Sequence, residues 1–92
     1  MKTDKKTPTP PEWLDIAIPS EGMNVTNPYT GESHFLTPLE LAIYSFIKGN
    51  EAQMHYQGDP FKPETRPQQE RMAKGLQWFR EHNAEAYMTL LD

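Results

Sequence analysis

Prolines are the feature that most constrains this fold, because they begin or end regular structure wherever they fall. A proline holds φ near about −65° and has no N–H to donate, so it is excluded from the interior of helices and of central strands. The chain contains nine, at positions 8, 10, 11, 19, 28, 38, 60, 63 and 67. They leave room for helices between Pro38 and Pro60 and after Pro67.

Residues 1–11 are predicted to be a flexible arm. They combine three lysines with three prolines and hold no apolar side chain after Met1. Such a segment buries too little surface to offset the entropy lost on ordering. An arm that orders on a partner is the alternative. Residues 12–92 form one small globular domain, in which the short segment around Trp13 docks as a strand or a single turn.

A β-hairpin is predicted over about residues 23–36. Two short β-prone runs flank the sequence Asn27-Pro28-Tyr29-Thr30-Gly31. Pro28 presets φ for a turn, and Gly31 can supply the positive φ that closes it. Because two strands alone are marginally stable in water, this hairpin must pack on the helices.

The first helix is predicted over about residues 38–57. Thr37 and Glu40 have the spacing of a capping box, and Pro38 suits the first helical position. An apolar stripe at helical spacing follows, formed by Leu39, Ile43, Phe46, Ile47 and Met54. The helix either ends at Gly49 in a left-handed cap or continues to Gln57, with Asn50 in the apolar seam. We favour the longer helix.

A second helix over about 67–82 and a short third helix over about 84–91 complete the chain. Asn83 ends the second or caps the third, since asparagine is favoured at both places. The predicted inward stripe of the second helix is Met72, Leu76 and Phe79. The fold class is therefore α+β and mainly helical: one β-hairpin followed by two principal helices and a short C-terminal helix.

The composition argues against an enzyme. A chain of 92 residues leaves little room for a deep cavity. It has no cysteine, which excludes a disulfide framework, a cysteine zinc site and a thiol nucleophile. Apart from weak pairings such as Glu51 with His55, the histidines at positions 34, 55 and 82 lack partners at metal-binding spacing, and no glycine-rich loop could hold a phosphate. We expect no cofactor, no metal and no catalytic residue.

The charge distribution makes a nucleic-acid partner unlikely. The net charge is −4, and residues 12–61 carry one lysine against seven carboxylates. Only the second helix and the arm are basic, whereas a phosphate-backbone binder needs many cations. No apolar run reaches the roughly 20 residues of a membrane span, and the N-terminus does not resemble a secretory signal. The expected location is the cytoplasm.

The most informative side chain is Trp78. At helical spacing it lies away from the inward stripe and beside Arg71, Lys74 and His82. Two interpretations remain open. Either the hairpin or the Trp13 segment covers the indole, or the indole is an exposed anchor for a partner, where Trp and Arg are enriched. The site prediction rests on the exposed anchor, with Trp78, Arg71, Lys74 and His82 as partner-binding residues.

Three segments resemble small uncharacterised proteins of tailed bacteriophages: Asn27-Pro28-Tyr29-Thr30-Gly31-Glu32, Leu36 to Gly49, and Trp78 to Asp92. The resemblance implies a context in which small acidic proteins bind a host protein or assemble with copies of themselves. It implies no activity and no residue role.

The predicted function is that of a non-enzymatic protein-binding accessory protein, such as a phage-type factor. Its partner would be another protein, either a host protein or a second copy. The alternatives are a nucleic-acid-binding accessory protein that uses the basic second helix, and a structural component of a larger assembly.

Overall fold

The computed structural model describes residues 9–56 and 65–91, and it confirms the predicted α+β fold. In chain order the elements are β1 (Met23–Thr26), β2 (Ser33–Leu36), α1 (Pro38–Tyr56), α2 (Arg66–His82) and α3 (Ala84–Ala86), which continues as a π-helical segment (Tyr87–Leu91). Residues 1–8 of the arm predicted over residues 1–11, and the end of α1 predicted at Gln57, lie outside the described residues.

The two strands form the antiparallel hairpin that the turn residues predict. Met23 is paired with Leu36 and Thr26 with Ser33. Gly31 has a φ of +79°, the positive value that glycine adopts without strain. Leu36 is fully buried and packs with the helices, so the hairpin is stabilised by the rest of the domain.

Helix α1 begins with the predicted capping box. The Thr37 N–H donates to Glu40 Oε1 at 2.9 Å, and the Glu40 N–H donates to Thr37 Oγ1 at 3.4 Å. All five residues of the predicted apolar stripe are buried. The helix continues through Gly49 to Tyr56, so the longer interpretation is confirmed. The buried Asn50 is accommodated because its Nδ2 donates to the Phe46 carbonyl at 2.8 Å.

The inward face of α2 differs from the prediction. Gly75, Trp78 and Phe79 are its buried residues, whereas Met72 and Leu76 are only partly buried. A Cβ at Gly75 would lie 2.5 Å from Cγ1 of Ile47. The absence of that side chain lets α1 approach closely, and the face that carries Gly75 and Trp78 therefore packs inward.

Asn83 plays both of the roles predicted for it. Its N–H donates to the Phe79 carbonyl at the end of α2, and its Oδ1 accepts from the Ala86 N–H at 3.2 Å at the start of α3. Beyond α3, Leu90 of the π-helical segment is buried in the core. Asn27 Nδ2 donates to the Thr89 carbonyl at 3.0 Å, which ties the hairpin to the C-terminus.

Candidate interaction surfaces

The indole of Trp78 is buried, so the prediction of an exposed anchor at this residue is wrong. Only 7% of Trp78 is exposed. Its ring stacks on the His82 imidazole with centroids 4.4 Å apart and meets the Phe79 ring edge-on at 5.3 Å. Trp13 lines the same shallow groove of about 250 Å³. The covered interpretation therefore holds: the indole is buried, and Trp13 borders the groove beside it.

Arg71 is engaged within the domain and does not form a free surface cation. Its Nη2 donates to Asp15 Oδ2 at 2.6 Å, and its guanidinium lies 4.6 Å from the centroid of the Phe46 ring. The hydrogen bond from Arg71 lowers the pKa of the Asp15 carboxyl below its usual value. Trp13 packs on the same Phe46 ring, with the two ring centroids 5.1 Å apart. Together these contacts fasten residues 13–15 across α1 and α2.

Lys74 and His82 are exposed, as the site prediction requires. His82 nevertheless has a local structural role, since its Nδ1 lies 2.9 Å from the Trp78 carbonyl oxygen. The four predicted residues do share one side of α2. The indole at the centre of this side is buried, so it is not exposed as an anchor.

In contrast to the buried Trp78, the aromatic residue in the loop of the hairpin is exposed. Tyr29 at its tip is 93% exposed, the highest value among the large hydrophobic side chains of the described residues. Asn27 Oδ1 accepts from the Tyr29 N–H at 2.8 Å, and the Gly31 N–H donates to the Asn27 carbonyl at 2.8 Å. The Glu32 N–H donates to Thr30 Oγ1 at 3.1 Å. The backbone of the loop is therefore fixed while the ring at its tip makes almost no contact.

One face of the hairpin is uncharged and open. Thr26 Oγ1 and Ser33 Oγ lie 2.7 Å apart on this face, which also carries Asn24 and Phe35. Phe35 is 54% exposed although it is a large apolar residue. The opposite face carries Val25 and Leu36 and packs on the core. An exposed aromatic on the strand and another at the tip make the hairpin the second candidate surface.

Sequence reasoning missed Tyr29 and Phe35 as surface residues. The signal was present in the strand periodicity, because Phe35 lies one residue from the buried Leu36 and must face the other side of the sheet. The Asn27-to-Gly31 turn placed Tyr29 at a tip in the same way.

Two other grooves are shallow. One lies between α1 and α2 and is apolar, with Met54, Met72 and Leu76 among its lining residues and a volume of about 420 Å³. The other, of about 440 Å³, is bordered by Asp15, Asn50 and other polar residues. Within residues 9–56 and 65–91, no cluster of three or more His, Asp or Glu residues could hold a metal ion. No helix in this part of the chain is long and apolar enough to cross a membrane.

Comparisons with known proteins do not add to this geometry. No protein-family model matches the chain, and no curated protein or solved structure shows significant similarity to it.

Proposed function

We propose that this chain is a non-enzymatic protein-binding protein that contacts its partner through the β-hairpin. The observation that carries the proposal is the rigid tip with Tyr29 exposed. The proposal keeps the cytoplasmic location and the partner class expected from the sequence, a host protein or a second copy. It moves the contact surface from the Trp78 side of α2 to the hairpin.

The tip has the physical properties of a binding anchor. Four hydrogen bonds within residues 27–32 and the bond from Asn27 to Thr89 fix the loop before any partner arrives. A preorganised loop loses little entropy on binding, and a tyrosine has few rotatable bonds to immobilise. The ring of Tyr29 is almost fully exposed and makes almost no contact within the domain. It therefore contributes little to the stability of the fold.

The chemistry of the hairpin defines the partner surface that fits it. Among residues 23–36 the only carboxylate is Glu32, and no lysine or arginine is present. Such a surface matches a protein patch with an apolar pocket for the phenol ring and a hydrogen-bond acceptor for its hydroxyl. It does not match the phosphate backbone of a nucleic acid, which needs clustered cations.

The test is affinity capture from the source cells, followed by binding measurements with the captured protein after purification. Tyr29→Ala should weaken binding by about ten- to hundredfold, the loss typical of an interface hot spot. Tyr29→Phe keeps the ring and should bind within about threefold of wild type. Lys74→Ala changes an exposed residue of α2 and should bind as wild type does.

The variants also give the outcome that contradicts the proposal. If Tyr29→Ala binds the purified partner as tightly as wild type, the tip is not the contact surface. If Lys74→Ala weakens binding and Tyr29→Ala does not, the partner contacts α2 instead. Circular dichroism should show unchanged folding for all three variants, because each changes an exposed side chain.

A further inference from the structure

The outer edge of β1 offers backbone hydrogen-bonding groups that nothing in the described part of the chain occupies. The Asn27 N–H donates to the Glu32 carbonyl at 2.8 Å, so Asn27 faces β2. In an antiparallel pair the bonding direction alternates along the strand. Met23 and Val25 therefore bond to β2, and the N–H and C=O groups of Asn24 and Thr26 point outward. Both of these residues are exposed.

We propose that β1 pairs with β1 of a second copy of this chain, antiparallel about a two-fold axis at Val25. This register places Asn24 opposite Thr26 of the second copy, and Thr26 opposite Asn24. Each pair then exchanges two backbone hydrogen bonds, so all four outward groups of each strand are satisfied at once. The two hairpins become one four-stranded sheet. The inference rests on the proposed function and names its partner.

The composition of the strand favours this occupant. β1 reads Met-Asn-Val-Thr and contains no charged residue and no proline. It therefore lacks the residues that prevent edge strands from pairing with other chains. The chain carries a net charge of −4, but the hairpin holds only one carboxylate, so two copies can approach each other there with little repulsion.

Exposed apolar surface is also covered in this arrangement. The same register, continued, brings Met23 of one copy next to Asn27 and Pro28 of the other. Met23 is 53% exposed in the single chain, although it faces the core side of the hairpin. The tip with Tyr29 then lies beside residues 20–22 of the second copy. The interface is small, so we expect a dissociation constant on the order of 10–100 μM.

The first experiment measures the mass of the full chain by sedimentation equilibrium between about 10 μM and about 1 mM. Wild type should shift from monomer to dimer. Asn24→Pro deletes one outward N–H without removing a bond to β2, and it should weaken the dimer more than about tenfold. Asn24→Thr keeps that N–H and should dimerise as wild type does. A wild-type monomer at the highest concentration, or a dimer unaffected by Asn24→Pro, overturns the proposal.

The second experiment tests the register and does not depend on a proline variant. The chain has no cysteine, so an Asn24→Cys variant and a Thr26→Cys variant each carry a single thiol. Paired residues of this kind have Cα atoms about 5.5 Å apart, within the range that a disulfide spans. Mild oxidation of the mixture should give the mixed disulfide faster than either variant gives its own. Equal rates overturn the register.

The two proposals fail separately. A monomer at every concentration removes the second copy as partner, while the capture experiment with Tyr29→Ala still decides whether the hairpin binds another protein. A dimer that Tyr29→Ala leaves intact supports edge pairing and removes the tip as an anchor of the dimer; the capture experiment then decides whether the tip binds another protein.

Discussion

Helix α2 and the β-hairpin each carry a large aromatic side chain, but one is buried and the other is exposed. Trp78 on α2 is 7% exposed and touches His82 and Phe79, and the groove beside it is bordered by Trp13. Tyr29 on the hairpin is 93% exposed and lies on a loop held by hydrogen bonds. The first ring stabilises the fold, and the second is available to a partner.

The difference teaches that neighbouring charge does not identify a binding anchor. Trp78 lies close in sequence to Arg71 and Lys74, which made it resemble a hot spot. Arg71, however, bonds to Asp15 and lies over Phe46, so it helps to hold the N-terminal segment over α2. Tyr29 has no cationic neighbour in the sequence, yet it is the exposed ring.

The largest expected effect on stability comes from removing the Trp78 ring, and removing the Tyr29 ring provides the comparison. Trp78→Ala should lower the free energy of unfolding by about 3–5 kcal/mol, because it removes a buried indole and leaves a cavity. A domain of this size is stable by only about 5–15 kcal/mol, so the melting temperature should fall sharply. Tyr29→Ala should change stability by less than about 0.5 kcal/mol. Thermal melts of both variants beside wild type provide the measurement, and similar losses in the two would contradict the comparison.

A pair of glycine variants sharpens the account of how α2 packs. Gly75→Ala should destabilise the domain by about 1–3 kcal/mol, because the added methyl would press on Ile47. Gly49→Ala has no atom within 4 Å of its new methyl and should stabilise α1 by about 0.5–1 kcal/mol. Urea denaturation of both variants would show changes of opposite sign. Stabilisation by Gly75→Ala would mean that the two helices are not in close contact there.

The smallest effect concerns the ion pair that fastens the N-terminal segment. The pKa of Asp15 is lowered in the folded protein, so its contribution to stability is present above the unfolded value of about 3.8 and is lost as pH falls through the folded pKa. The melting temperature of wild type should therefore be slightly higher than that of Asp15→Asn at neutral pH, and the two melting temperatures should converge at acidic pH. A difference that is constant with pH would show that the carboxylate charge is not involved.

The sequence by itself determined the order of the elements and the local hydrogen bonds that begin or end several of them. Thr37, Glu40, Gly31 and Asn83 act through hydrogen bonds and backbone angles within a few residues of themselves, so their roles follow from local spacing alone. The apolar stripe of α1 was equally readable, because five buried residues repeat at the helical period. For the same reason the element order and the fold class were predictable.

Only the tertiary structure decided which aromatic side chain is covered. Arg71 and Asp15 are separated by 56 residues, and the close approach of α1 at Gly75 depends on a side chain that is absent. The residue pattern of one helix does not show which distant segment of the chain packs against it. The burial of Trp78 follows from contacts between distant parts of the chain, and it leaves the exposed hairpin as the candidate surface.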